Sequence, residues 1–249
     1  MKLVFALLFA ILVAPLALAS SRPVELHQRL DLPVNSSAGA QTRIAALTLD
    51  ACGGAFDEDL IRFLIERRIP ATIFATKRWI DRNATGVAML TTHRELFEIE
   101  DHGANHIPAV IGAGRRVYGI RGEPDVAHLQ KEIVDGARAI EQINGIAPRW
   151  YRGATATYDA VAIGVINSLG YRIAGFSVNA DAGATLRRGA IIGRLKLVTN
   201  GDIIIAHMNK PASDSAEGLA EGLTWLQAQG FRFVLLNDMA RSDLPLRSS

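Results

Sequence analysis

The 249-residue chain has a single cysteine, Cys52, so no disulfide can close within it and its stability must come from a packed core. It has only six histidines, and aromatics make up 6% of its residues, so each histidine and each large ring can be weighed individually. Neither sign of charge dominates: 27 Lys and Arg stand against 25 Asp and Glu. Nothing in that balance calls for nucleic acid or an anionic membrane as partner. Low-complexity tracts, close internal repeats and dividing linkers are all absent. One long apolar run exists, "LVFALLFAILVA", between Lys2 and Pro15. It is too short to span a bilayer comfortably, and Ala17-Leu18-Ala19 after it has the small residues of a processing site. Residues 1–19 are therefore expected to be a signal peptide cleaved after Ala19, which makes the protein exported, periplasmic or secreted. Cys52 lies far beyond that point, so nothing supports a lipid anchor at the new N-terminus.

Residues 20–43 are polar and irregular and read as an N-terminal arm. From 44 to 249 short apolar runs alternate with amphipathic stretches, the habit of a βα repeat with a mostly parallel sheet, in one domain. The strand candidates are "RIAALTLD", "ATIFAT", "LFEIE", "RWYRG", "RIAGFSV", "DIIIAH" and "FRFVLL". Asp57 is placed to cap "EDLIRFLIERR". Pro124 starts a helix on which Val126, Leu129, Ile133, Ala137 and Ile140 share a face, and Asn144-Gly145 ends it. Asp214 with Glu217 has the spacing of a capping box before "AEGLAEGLTWLQAQG", and Gly230 can close that helix. The polar residues fall where apolar runs end: Asp50, His102, Arg152, Asp181 and His207. In a parallel α/β fold sites gather at the carboxyl ends of strands, so these residues can converge.

In "DHGANH", His102 and His106 stand four apart, which on a helical turn would place both imidazoles on one side. A carboxylate such as Asp50 would complete a metal set with a position open for water. The alternative is that the pair merely decorates a loop, for which Gly103 and Pro108 are suited. A zinc protease of the HExxH type is disfavoured because Gly103 stands where its glutamate is required. His207 is either a general acid or a histidine bonded at the rim of the core. Arg152 either orients a carboxylate or makes a surface pair. Asp181 either caps the next helix near Thr185 or tunes a histidine. His27, His93 and His128 read as surface residues.

Taken in order, "LTLDACGG", "HGANH", "YRGATATYD", "VNADAGAT" and the Ile205–His207 pair resemble the five motifs of the polysaccharide deacetylases, the NodB-homology family also called carbohydrate esterase family 4. The resemblance runs from about residue 44 to 238. It implies a distorted (β/α) barrel of about seven parallel strands and an enzyme that removes acetyl groups from an acetylated polysaccharide or amino sugar. It further implies a divalent cation, Zn2+, on His102, His106 and Asp50. Asp50 would also serve as base, His207 as general acid, Asp181 as the group keeping His207 cationic, and Arg152 as the clamp on Asp50. Thr155 and Ile205 would contact substrate, the former through a backbone N–H near the oxyanion.

The chain departs from the family where a second aspartate is usual, because Ala51 follows Asp50. The family's prolines after the arginine, the aromatic that follows them and the tryptophan of the fourth motif are missing too. Three accounts follow: Asp50 is a ligand and another group acts as base; Asp50 is the base and the metal has two histidines plus water; or the site binds sugar without turning it over. Asp101 is a further candidate ligand. Trp79, Trp150 and Tyr118 are candidates for stacking on sugar rings, and the loop from Ile107 to Gly122, with Arg115 and Arg116, is the place expected to select substrate. A non-catalytic glycan-binding module and a metal-dependent hydrolase of a non-glycan amide are the competing functions.

Overall fold

The computed structural model describes residues 22–32, 43–240 and 247–248. The expected signal peptide, 1–19, lies outside them. The central strand β1 (Arg43–Ala51) is buried from Ala45 onward, as a strand covered on both faces must be. The described helices are α1 (Glu58–Glu66), α2 (Lys77–Ile80), α3 (Ala84–Thr92), α4 (Val126–Asn144), α5 (Ala160–Ser168), α6 (Arg188–Leu195), α7 (Ser215–Ala228) and α8 (Leu236–Ala240). Ala45, Leu47, Leu49 and Ala51 point outward into a core shared with α1 and α7. Ala46 points the other way, into an inner core with Phe74, Tyr151, Tyr158 and Ile203. By the same alternation Thr48 and Asp50 face inward.

The other strands of the central sheet are β2 (Ala71–Ala75), β3 (Phe97–Asp101), β4 (Trp150–Tyr151), β5 (Arg172–Ile173), β6 (Val178–Asn179), β7 (Ile203–His207) and β8 (Phe231–Val234). Seven follow one another in the order β5-β4-β3-β2-β1-β7-β6, and β8 adds to the N-terminal half of β1; all pairings are parallel. The sheet is curled into a half-barrel, as the distorted barrel expected from the motifs requires. Its register does the functional work. Asp50 lies opposite His207 and Phe74, Ala75 opposite Asp101, and Asp101 opposite Tyr151, so the residues just beyond β3 and β4 reach the same end as Asp50 and His207.

"RIAGFSV" differs from expectation: it is two short strands on opposite edges. Ala174 N donates to Tyr151 O (3.0 Å) on one edge and Ser177 N to Ile203 O (2.9 Å) on the other. Between them the chain leaves the ladder, and its backbone needs other partners. The arm supplies them, since Phe176 N donates to Leu26 O and Gln28 N to Phe176 O. Val24–Glu25 pairs antiparallel with Thr157–Tyr158, and Arg29 forms an ion pair with buried Asp202. Residues 22–32 are thus docked across the gap in the curled sheet.

Helix α4 (Val126–Asn144) is capped by Asp125, which accepts from His128 N, and ends at Gly145 in the left-handed region (φ 68°). Its buried stripe contains Leu129, Ile133, Ala137 and Ile140, but Val126, in the first turn, is 38% exposed. Gly136 sits where α4 meets the end of β3: a Cβ there would lie 2.2 Å from Asp101 Oδ1 and 2.7 Å from the Gly103 carbonyl carbon. The Asp57 cap forms, accepting from Leu60 N. The capping box at Asp214 does not: its carboxylate accepts from Arg188 N, which opens α6 (Arg188–Leu195). None of the described helices is long and apolar enough to cross a membrane.

Candidate active site

The end of β1 and the turn after β4 meet in a buried ion pair. Arg152 Nη1 donates to Asp50 Oδ1 and to Thr48 Oγ1, both at 2.8 Å. Its Nε and Nη2 donate to the carbonyls of Ala174 (3.2 Å) and Gly175 (3.0 Å), and the guanidinium stacks on Phe74 at 4.1 Å. Burial by itself would raise the Asp50 carboxyl; Arg152, followed by His102 and His207, outweighs it and holds Asp50 below the usual carboxylate range. Arg152 is fully buried, so its surface-pair alternative is set aside.

"DHGANH" is not a helical turn. Gly103 (φ 81°) and His106 (φ 65°) both adopt left-handed backbone, and a Cβ at Gly103 would come within 2.6 Å of Glu132 Oε1. The loop is held from α4: Glu132 Oε1 accepts from Asn105 N (2.7 Å) and Ile107 N (3.3 Å), and Oε2 accepts from Asn105 Nδ2 (3.0 Å). The result still brings the two imidazoles together, with centroids 4.9 Å apart and planes at 66°. His102 Nδ1 lies 2.6 Å from the Arg152 carbonyl oxygen. In the neutral ring that contact keeps the proton on Nδ1 and leaves the Nε2 lone pair facing the site.

Nε2 faces Cys52 Sγ at 3.5 Å and Asp50 Oδ2 at 3.6 Å. One donor atom each from Cys52, His102 and His106 lie within 4.8 Å of one another. Burial would raise the Cys52 thiol; its contacts with the imidazole of His102, then with those of His106 and His207, draw it well below its ordinary value. A sulfur and two imidazole nitrogens, clustered with the sulfur biased toward thiolate, fit a divalent metal of the zinc type. Sequence reasoning weighed Cys52 only as a disulfide or lipid site. The available signal was strand parity, since Thr48, Asp50 and Cys52 alternate onto one face.

His207 Nδ1 lies 2.9 Å from Asp181 Oδ1, and Asp181 Oδ2 accepts from His207 N and from Ser215 Oγ, each at 2.9 Å. Burial disfavours the His207 cation, but the Asp181 bond and the Cys52 sulfur raise its pKa well above the ordinary value. The Asp181 side chain therefore serves the histidine, while its backbone carbonyl accepts from Thr185 N and Leu186 N. Asp50, Cys52, His106, Thr155, Ile205 and His207 line one cavity of about 650 Å³. Thr155 adopts φ 68°, and its Oγ1 is buried without a hydrogen-bond partner among the described residues.

Some candidates fall elsewhere. Asp101 turns toward α4: its Oδ1 accepts from Gly103 N and borders Gly136, and it is absent from the cavity wall. Trp79 and Trp150 are buried, Trp150 donating to Asn237, so neither offers a face to a sugar. Tyr118 is 78% exposed on the turn between Arg116–Val117 and Ile120–Arg121, and it lines the cavity. Arg115 pairs with Asp159 (3.2 Å) and Arg116 bonds Gly119 O. His27 and His128 are exposed, whereas His93 is half-buried against Met89 O. Glu25 of the arm also reaches the cavity wall, which its polar, irregular sequence did not suggest.

The family model for polysaccharide deacetylases matches residues 38–174, more than half of the chain. The chain belongs to the polysaccharide deacetylase family. Solved structures sharing its fold include a family 4 carbohydrate esterase from Streptomyces lividans in complex with acetate, at 18% identity and TM-score 0.63 over 78% of this chain and 93% of that one. The Bc1960 peptidoglycan N-acetylglucosamine deacetylase aligns at 16% identity and TM-score 0.66 over 86% and 91%. A CE4 family pseudoenzyme from Bacillus anthracis aligns at 16% identity and TM-score 0.62 over 81% and 66%. None of the curated proteins compared with the chain matches it.

Proposed function

We propose that this protein is an exported, metal-dependent hydrolase that removes acetyl groups from an acetylated polysaccharide or amino sugar. The observation that carries the reading is the meeting of Asp50–Arg152, His207–Asp181 and the histidine pair at one cavity. His102 and His106, with a third donor from the end of β1, would hold the ion, for which Zn2+ is the natural choice. When bound, such an ion polarises an acyl oxygen and brings the pKa of a water from about 15.7 toward about 7.

The protein's own groups do the rest. Arg152 occupies Asp50 Oδ1 and keeps the carboxylate ionised, so Oδ2 is left to take the proton of the attacking water. Asp181 holds Nδ1 of His207, which turns Nε2 toward the cavity as the acid that protonates the leaving nitrogen or oxygen when the bond to the acetyl carbon breaks. Ile205 supplies an apolar wall for the acetyl methyl, and the left-handed turn at Thr155 brings backbone near the developing oxyanion. Tyr118 is the exposed ring available to a sugar.

Ala51, in place of the family's second carboxylate, favours a second reading, a glycan-binding module without turnover. Acetate release and binding heat, measured in parallel on N-acetylated chitooligosaccharides and O-acetylated xylan, separate the readings. Acetate release is expected. Binding without acetate would establish the module, and neither binding nor release, with cleavage of another amide, would move the substrate outside glycans.

A further inference from the structure

Resting on the metal-dependent reading above, we infer that Cys52, and not Asp50, supplies the third protein donor to the ion, so that β1 presents a base and a sulfur ligand two residues apart. Parity sets this up. Ala51 points into the outer core beside Leu47 and Leu49, so the residue after Asp50 cannot reach the histidines, whereas the one after that returns to the Asp50 face. The sulfur stands 3.5 Å from His102 Nε2 and groups with His106 inside 4.8 Å. The Asp50 carboxylate already has Oδ1 on Arg152 and lies outside that three-donor group.

The backbone holding the sulfur is itself clamped. The Cys52 carbonyl accepts from Thr76 Oγ1 and Arg78 Nε, both at 2.8 Å, and the Gly53 carbonyl accepts from Asn209 Nδ2 at 2.5 Å. Supports of this kind orient ligands and are expected around a metal site. The His102 ring, bound through Nδ1 to the Arg152 carbonyl, presents the nitrogen that faces the sulfur. A thiolate in the set changes which ion is taken: sulfur favours Zn2+, Co2+ and Cd2+, while Mg2+ and Mn2+ prefer oxygen.

Cobalt tests the assignment without any activity assay, because thiolate bound to Co2+ gives a sulfur-to-metal charge-transfer band in the near ultraviolet. The mature wild-type protein titrated with Co2+ is expected to take up one equivalent and show the band. Asp50→Asn should keep band and stoichiometry. Cys52→Ser should lose the band and weaken Co2+ by more than the roughly 10- to 100-fold typical of losing an outer partner, with circular dichroism checking its fold. Co2+ bound by wild type without the band would overturn the assignment and leave the deacetylase reading standing. Loss of metal in Asp50→Asn with Cys52→Ser unchanged would do the same and return the ligand role to Asp50. A wild-type protein that takes up no Co2+ or Zn2+ would overturn both.

Discussion

Replacing Arg152 with methionine tests how the inner core and the site depend on one buried cation. The substitution removes bonds to Asp50, Thr48 and the carbonyls of Ala174 and Gly175, together with the stack on Phe74. Losing one partner of a buried ion pair costs about 3–5 kcal/mol because the other charge is left uncompensated. The two stranded carbonyls belong to the segment that crosses between the sheet edges, so the loss also loosens closure of the curl. At about 2–4 °C per kcal/mol for a chain of this size, the unfolding midpoint should fall by roughly 6–20 °C. Adding Asp50→Asn removes the orphaned charge, so the double variant should be more stable than the two single losses combined would give, by about 1–3 kcal/mol. Thermal and urea unfolding followed by circular dichroism measure all four proteins. Losses that add to within about 0.5 kcal/mol, or an Arg152→Met midpoint within about 2 °C of wild type, would refute the reasoning.

Gly136→Ala should destabilise by roughly 1–3 kcal/mol, although alanine is the better helix former, because the added methyl overlaps Asp101 and Gly103; an unchanged midpoint would show that α4 does not press on the histidine loop. Glu132→Ala strips the acceptors of Asn105 and Ile107 and should weaken metal binding about 10- to 100-fold while the fold survives, with Glu132→Gln closer to wild type; equal affinities in competition with a chelator would contradict this. Burial, then Glu132, pushes the Glu123 carboxyl up to about 7 from its ordinary 4.5. Its folded pKa exceeds the unfolded one, so the folded state binds the extra proton: this contribution is complete below about pH 4.5 and is lost as pH rises through about 7. Glu123→Gln should therefore show a smaller fall in unfolding midpoint across that window than wild type, and identical profiles would sink the argument.

Much of the fold was readable because apolar runs and their polar ends survive as signals: six of the seven strand segments form single strands, and Asp50, His102, Arg152, Asp181 and His207 do gather at one end. "RIAGFSV" misled because a continuous β-like run does not say which edge it joins, and a curled sheet offers both. The spacing of His102 and His106 suggested a helical turn, yet Gly103 together with the acceptors of Glu132 favours a loop, and Glu132 lies 30 residues from His102 in sequence. Asp214 matched a capping box locally, but a nearby helix start at Arg188 offered its carboxylate a competing donor. Cys52 was hidden by its chemistry's other meanings; only the phase of β1 ties it to Asp50.

Acetate release from an acetylated glycan by wild type and by His207→Ala is the most direct measurement. His207 meets Asp181 and the cavity but lies outside the three-donor metal group, so its loss should leave metal content unchanged and lower the rate by about 10²- to 10⁴-fold. A His207→Ala protein as active as wild type would contradict the assignment of the acid, and a metal-loaded wild type that releases no acetate from any acetylated glycan would contradict the proposed function itself.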